Sequence, residues 1–132
     1  RTAAARALGR LAEREPDFAL PHLERAVRDS SYDVRSAAIP GLALAWARKQ
    51  TPQELTDALI DAEADSPRRF VALEALVVKA QTGPDTAEAK KGLERAANSG
   101  PPLARLAARI GEGFLAAPLP ELHAFIERLL GS

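Results

Sequence analysis

The fold of this chain is decided by the stretch Asp29-Ser30-Ser31-Tyr32-Asp33-Val34-Arg35-Ser36-Ala37-Ala38-Ile39-Pro40-Gly41-Leu42. Its apolar positions return at a spacing of 34, which is the step from residue 4 to residue 38. Within each copy the apolar positions follow one face of a helix. Four apolar columns in one register indicate a repeat. The columns are Ala4, Ala38, Ala72 and Leu106; Ala5, Ile39, Leu73 and Ala107; Leu8, Leu42, Leu76 and Ile110; and Ala12, Trp46, Ala80 and Phe114.

A second recurrent run lies between the copies of the first. Leu23-Glu24-Arg25-Ala26-Val27 returns as Leu93-Glu94-Arg95-Ala96-Ala97 and, more loosely, as Ile126-Glu127-Arg128-Leu129-Leu130. We interpret these runs as the first helices of successive pairs, with the helices of the apolar columns as the second. The last helix of the chain is thereby predicted to open another pair.

The sequence predicts an all-α chain of about four antiparallel helix pairs, forming one helical-repeat domain over residues 1–132. Because the chain begins at Arg1, inside a repeat, we expect it to be a fragment of a longer one. No strand signal is found. The predicted helices span Arg1–Arg14, a segment opening at Pro16-Asp17, Tyr32–Lys49, Gln53–Ala64, Arg68–Gln81, Asp85 or Thr86 to Asn98, Leu103–Ala116 and Glu121–Leu130.

Local signals mark several helix ends. Thr51, followed by Pro52 and then by Glu54, has the spacing of a capping box. Ser66-Pro67 is predicted to cap the next helix in the same way. Pro40 lies well inside its helix and lacks the N–H due to the Ser36 carbonyl, while Gly41 beside it allows a neighbouring backbone to approach.

The composition restricts the classes of function. Of 132 residues, 18 are basic and 18 acidic, so the formal net charge is zero, which argues against broad nucleic-acid binding. There is no cysteine, which excludes disulfides and thiolate chemistry. No apolar run approaches the roughly 20 residues needed to span a bilayer, and no signal peptide is present. We therefore expect a cytoplasmic chain with no membrane partner, unless a preceding segment carries a targeting signal.

The chain lacks the residue patterns of common catalytic and cofactor sites. His22 and His123 stand far apart, and neither has a second histidine or a cysteine at ligand spacing, so no metal site is expected. No glycine-rich loop suggests a phosphate or dinucleotide site. Acidic pairs such as Asp57 and Asp61 are interpreted as a solvated helix face. We expect no catalytic residue, no metal and no cofactor, and predict that the chain is not an enzyme.

The spacing Asp-x4-Val-Arg-x2-Ala, from Asp29 to Ala38, resembles the HEAT repeat, above all the bacterial type found in phycobilisome-lyase-like proteins. The stretch Arg1–Gly9 is similar to the same type. The resemblance implies a right-handed α-solenoid. It also implies a structural ladder, in which an aspartate caps the turn between the helices of a pair and an arginine links it to a neighbouring repeat. The ladder residues are Asp29, Arg35, Asp65 and Arg69.

A 34-residue period also suits tetratricopeptide repeats, which remain the second choice. The residues that fit that pattern are Leu73, Leu76, Ala80, Ala89, Leu93, Ala96 and Pro101. Both families are solenoids of antiparallel helix pairs. The Asp-x4-Val-Arg element and the scarcity of large aromatics favour the HEAT type.

The leading functional hypothesis is a non-enzymatic scaffold or adaptor that binds another protein or another domain of the same chain. One alternative is a regulatory or structural repeat segment of a larger enzyme. A HEAT-like nucleic-acid-binding protein ranks third, because the chain is neutral and Trp46 falls in a core column.

The binding surface is expected on the non-core face of the second helices. Phe70, Leu44 and Val78 are predicted to form an exposed apolar patch there, the usual mark of an interaction site. The alternative is that Phe70 folds back against an adjacent helix or against a segment that precedes Arg1. The other candidate partner-binding residues on this face are Glu74, Arg6 and Arg10.

Overall fold

The computed structural model describes residues 2–12 and 14–131. In these two ranges the chain forms eight helices and no strand, which confirms the all-α prediction. None of the helices described is long and apolar enough to cross a membrane. The helices are α1 (Thr2–Ala12), α2 (Pro16–Ala26), α3 (Tyr32–Lys49), α4 (Pro52–Ile60), α5 (Ser66–Gln81), α6 (Thr86–Ser99), α7 (Pro102–Gly113) and α8 (Leu119–Gly131).

The start of α4 is as predicted. The Thr51 hydroxyl accepts the backbone N–H of Glu54 at 3.1 Å, and the Glu54 carboxylate accepts the N–H of Thr51 at 2.9 Å. These reciprocal bonds satisfy two of the N–H groups that a helix start leaves free. The capping box is therefore confirmed.

The start of α5 differs from the prediction by one residue. Asp65, not Ser66, is the N-cap: its carboxylate accepts the backbone N–H of Arg68 at 2.9 Å, and Pro67 lies in the first turn. A carboxylate is favoured here because it also meets the positive end of the helix dipole.

Helix α4 ends at Ile60, earlier than the predicted Ala64. The Asp61 carboxylate accepts the backbone N–H of Glu63 at 2.9 Å, which gives the chain a local turn in place of another helical turn. The buried Arg69 guanidinium donates to the carbonyls of Leu59 at 3.2 Å and Asp61 at 2.7 Å. A side chain of α5 thus donates hydrogen bonds to carbonyls at the end of α4, which have no helical N–H donor.

The helices pack in two rows, and α8 departs from the expected arrangement. Helices α1, α3, α5 and α7 pack in succession as an odd row, while α4 packs beside α6 in an even row. Helix α2 contacts α1 and α3, and α6 contacts α5 and α7. Helix α8 was expected to open a further pair, but it packs chiefly against α5 and α3, on the odd row.

Two contacts direct α8 towards the odd row. The Gln81 side chain, at the end of α5, donates to the Ala117 carbonyl at 2.6 Å in the turn before α8. The rings of Phe114 and Phe125 meet with their centroids 5.4 Å apart. Leu122 and Ile126 are then completely buried, so their apolar surface holds α8 in place.

The apolar columns are buried most completely in the middle of the odd row. Ala38 and Ala72 are fully buried, whereas Ala4, in the same column, is exposed and Leu106 is 57% exposed. Helices α1 and α7 stand at the ends of the row and have an odd neighbour on one side only. The column Ala5, Ile39, Leu73 and Ala107 is buried throughout.

Helices α1 and α3 approach each other at a pair of glycines. A Cβ atom built on Gly41 would collide with the backbone Cα of Gly9, and one on Gly9 would lie 3.4 Å from the Cα of Gly41. Backbone atoms cannot move aside as a flexible side chain can. The close approach expected at Gly41 is therefore present, and it sets the distance between the two helices.

We expect Gly41→Ala to lower the free energy of unfolding by about 1–3 kcal/mol, because the added methyl forces two backbones apart. Gly113→Ala is the matched control, since a Cβ there meets nothing within 4 Å. That control should leave stability unchanged or raise it by up to about 1 kcal/mol, owing to the better helix propensity of alanine. Urea denaturation measures both variants, and equal stabilities would contradict the close packing of α1 on α3.

Candidate binding groove

A groove of about 810 Å³ lies between α1, α3 and α8. Helix α3 forms its floor and one wall, while α1 and α8 form the others. The lining residues are Thr2, Arg6, Gly9 and Arg10 from α1; Tyr32, Asp33, Ser36, Ala37, Pro40, Gly41 and Leu44 from α3; and His123 and Glu127 from α8.

A buried carboxylate lies beneath the groove. Glu74, on α5, is completely inaccessible to solvent. Its Oε2 atom lies 3.1 Å from Nδ1 of His123, and Nε2 of the same imidazole lies 3.1 Å from Oε1 of Glu127. The imidazole of α8 is thus held between two carboxylates, one on α5 and one on α8 itself.

The network extends to α3 through Glu127. The Ser36 hydroxyl donates to the Glu127 carboxylate, and the Tyr32 hydroxyl donates to the Glu127 backbone carbonyl at 2.6 Å. Residues Tyr32 and Ser36 are one turn apart on α3, so both reach the same residue of α8. Helix α8 is therefore fastened to α5 by His123 and to α3 by Glu127.

The environment shifts the pKa values of the buried pair. Burial raises the pKa of Glu74, and the hydrogen bond and charge of His123 offset this only in part. For His123, burial by itself lowers the pKa, but the hydrogen bond and charge of Glu74, together with Glu127, outweigh burial and raise the pKa. Both shifts favour a proton on the pair. The other oxygen of Glu74, Oε1, has no hydrogen-bond partner among the residues described.

The α1 wall carries two arginines. Arg6 and Arg10 are exposed and one helical turn apart, so they lie on the same face of α1. Neither makes a hydrogen bond or an ion pair with any residue that the structure describes. Elsewhere, Arg28 pairs with Asp65 at 2.8 Å, Lys79 pairs with Asp85 at 3.1 Å, and Lys49 pairs with Asp17.

The structure places the six predicted partner-binding residues in different settings. Arg6 and Arg10 line the groove, and so does Leu44. Glu74 is fully buried beneath it, so it acts through His123 and contacts no partner directly.

The predicted apolar patch requires a correction. Phe70 and Val78 are partly buried and pack against the core, as in the alternative considered for Phe70. Val78 and Leu44 line a smaller pocket of about 320 Å³ together, but Phe70 does not belong to that lining, so the three residues form no single exposed patch. The large hydrophobic side chains that are exposed lie elsewhere, at Phe18, Leu103, Leu106 and Leu129.

Sequence reasoning missed His123, Glu127, Ser36 and Tyr32 as one site. It weighed His123 only as a metal ligand and placed α8 among the first helices of pairs. Two signals were available. His123 and Glu127 are four residues apart, on one helix face, and Glu74 interrupts an otherwise apolar run of α5. A lone carboxylate in such a run requires a partner from another helix.

The ladder residues lie at the turns between helices. Arg35 donates to the backbone carbonyls of Asp29 at 2.8 Å and Ser30 at 3.1 Å. The Asp29 carboxylate accepts the N–H of Ser31 at 2.8 Å. These bonds lie within the turn between α2 and α3, and those of Arg69 lie within the turn between α4 and α5. Among the residues described, the ion pairs Arg28–Asp65 at 2.8 Å and Arg95–Asp57 at 3.8 Å join neighbouring helix pairs.

Among the residues described, no group of three or more histidine, cysteine, aspartate or glutamate side chains is arranged to hold a metal ion. The chain matches no protein-family model, no curated protein and no solved structure.

We expect the stabilisation contributed by Glu74 and His123 to fall as the pH rises. The ordinary pKa values are 4.5 and 6.5, and both are raised in the folded chain. The contribution is fully present below the unfolded values and is lost as the pH passes through the folded ones. The double variant Glu74→Gln/His123→Gln lacks both groups and serves as the reference.

The measurement is the urea midpoint of the wild type relative to this double variant, from about pH 4 to about pH 9. The difference should decrease steadily with pH. A difference that is constant or that grows with pH would contradict the two raised pKa values.

Proposed function

We propose that this chain is a helical-repeat scaffold of the HEAT-like α-solenoid type, which binds another protein or another domain of its own chain in the groove between α1, α3 and α8. The observation that carries the proposal is the pair Arg6 and Arg10, two arginines at the edge of an open groove with no hydrogen-bond or ion-pair partner among residues 2–12 and 14–131. Unpaired charges beside a concave surface favour a binding role.

The packing of the helices supports the repeat. The odd helices follow one another in a row, and α2, α4 and α6 each pack against at least one odd helix. The bonds of Asp65 and Arg69 secure the turn between α4 and α5, and Arg28 joins this turn to the preceding pair. Such nearest-neighbour contacts are typical of solenoids.

The chemistry of the groove favours binding over catalysis. Both ring nitrogens of His123 face carboxylates, and the Ser36 hydroxyl donates to Glu127 and not to the imidazole. A nucleophile activated by histidine would need a direct bond to that base. The network is therefore suited to holding α8 in position.

The test is site-specific photocrosslinking in cells that contain the natural partner. A photoreactive residue replaces Asp33, which is exposed and lines the groove; the control replaces Glu94, exposed on α6. We expect a discrete adduct from position 33 and none from position 94. Mass spectrometry of the crosslinked peptide then distinguishes another protein from another domain of the same chain. The absence of an adduct at position 33 would contradict a binding role for the groove.

A further inference from the structure

We propose that the groove binds an acidic peptide segment of the partner, whose carboxylates pair with Arg6 and Arg10. This inference rests on the proposed function and adds the chemical class of the bound segment.

The arginines are arranged to receive carboxylates. Guanidinium groups bind carboxylates through two parallel hydrogen bonds, which gives direction as well as strength. Arg6 and Arg10 lie one turn apart on α1, so two acidic side chains of a bound segment can be engaged together. Because neither arginine has an internal partner in the part of the chain described, binding breaks no existing ion pair.

The floor of the groove suits a peptide backbone. Gly9 and Gly41 line the groove where α1 and α3 meet, and Ala37 adds only a methyl to its floor, so an extended segment can lie close to α3 at Ala37. Pro40 has no N–H to donate to the Ser36 carbonyl, one turn earlier. That carbonyl therefore lacks its regular helical donor, and both residues line the groove. A backbone N–H of the bound segment can serve as the donor.

The opposite wall orients the segment. Glu127 is engaged by His123 and Ser36, which compensates its negative charge. Asp33 lies in the first turn of α3, is exposed and also lines the groove. Its charge repels acidic side chains, so the carboxylates of the segment face α1. Removal of the Asp33 charge should consequently strengthen binding.

The experiment measures the fluorescence anisotropy of short labelled peptides at low salt, since screening weakens exposed charge pairs. The probes are a peptide of alternating Glu and Ala and its counterparts with Gln or Lys in place of Glu. We expect the acidic peptide to bind at least about tenfold more tightly than the Gln peptide, since each charged hydrogen bond contributes to affinity. The Lys peptide should bind most weakly.

Matched variants test whether the affinity for the acidic peptide depends on the two arginines of the groove. Arg6→Gln/Arg10→Gln should weaken binding of the acidic peptide by at least about tenfold. Lys90→Gln/Arg105→Gln removes the same charge at exposed positions outside the groove, and it should change affinity by less than about twofold. Asp33→Asn should tighten binding by about two- to threefold. A gain of affinity cannot arise from misfolding. Asp33→Asn therefore tests the binding of an acidic peptide even if the arginine variant is unstable.

Several results would overturn the proposal. These are equal affinity for the Glu and Gln peptides, equal losses in the two double variants, and unchanged or weaker binding in Asp33→Asn. Displacement of the peptide by a single-stranded oligonucleotide, at equal concentration and with the same dependence on Arg6 and Arg10, would assign the groove to nucleic acid. If the adduct at position 33 forms but the acidic peptide fails these tests, the groove binds a partner whose bound segment is not acidic. If no adduct forms, the proposed function is contradicted as well.

Discussion

A carboxylate without access to solvent is the constraint on which the rest of this structure depends. Glu74 is completely buried in α5, where a charge or an unpaired polar group is costly. His123 of α8 supplies the hydrogen bond, and the requirement for this partner places α8 across α5 and α3. Without that placement the groove would have only two walls. The polar contact thus links the core of the chain to the shape of its candidate binding site.

Two further contacts make this arrangement geometrically possible. Gln81 secures the turn before α8 through the Ala117 carbonyl, and Glu127 receives the Ser36 and Tyr32 hydroxyls of α3. On the other side of the groove, Gly9 and Gly41 allow α1 to lie close to α3. Packing and hydrogen bonding therefore determine the width of the groove, and Arg6 and Arg10, which have no partner in the part of the chain described, place positive charge on its α1 wall.

The sequence predicted what depends on local signals. The bounds of α3 and the capping box at Thr51 follow from caps, prolines and helical periodicity, which act over a few residues. The position of α8 could not be predicted in this way. The apolar pattern of α8 resembles that of the first helix of a pair. Its position depends on the contact between Glu74 and His123, which are far apart in sequence, so local signals do not reveal it. A repeat period identifies helices with equivalent sequence patterns. It does not show that α8 packs against α5 and α3 and opens no further pair.

The most direct test of the central claim is a double-mutant cycle between Glu74 and His123. The free energies of unfolding of the wild type, Glu74→Gln, His123→Gln and the double variant give the coupling between α5 and α8. A coupling of about 1 kcal/mol or more is expected, because Glu74 is fully buried and hydrogen-bonded to His123. Additive losses would show that the two side chains do not interact, and would contradict the placement of α8 across the odd row.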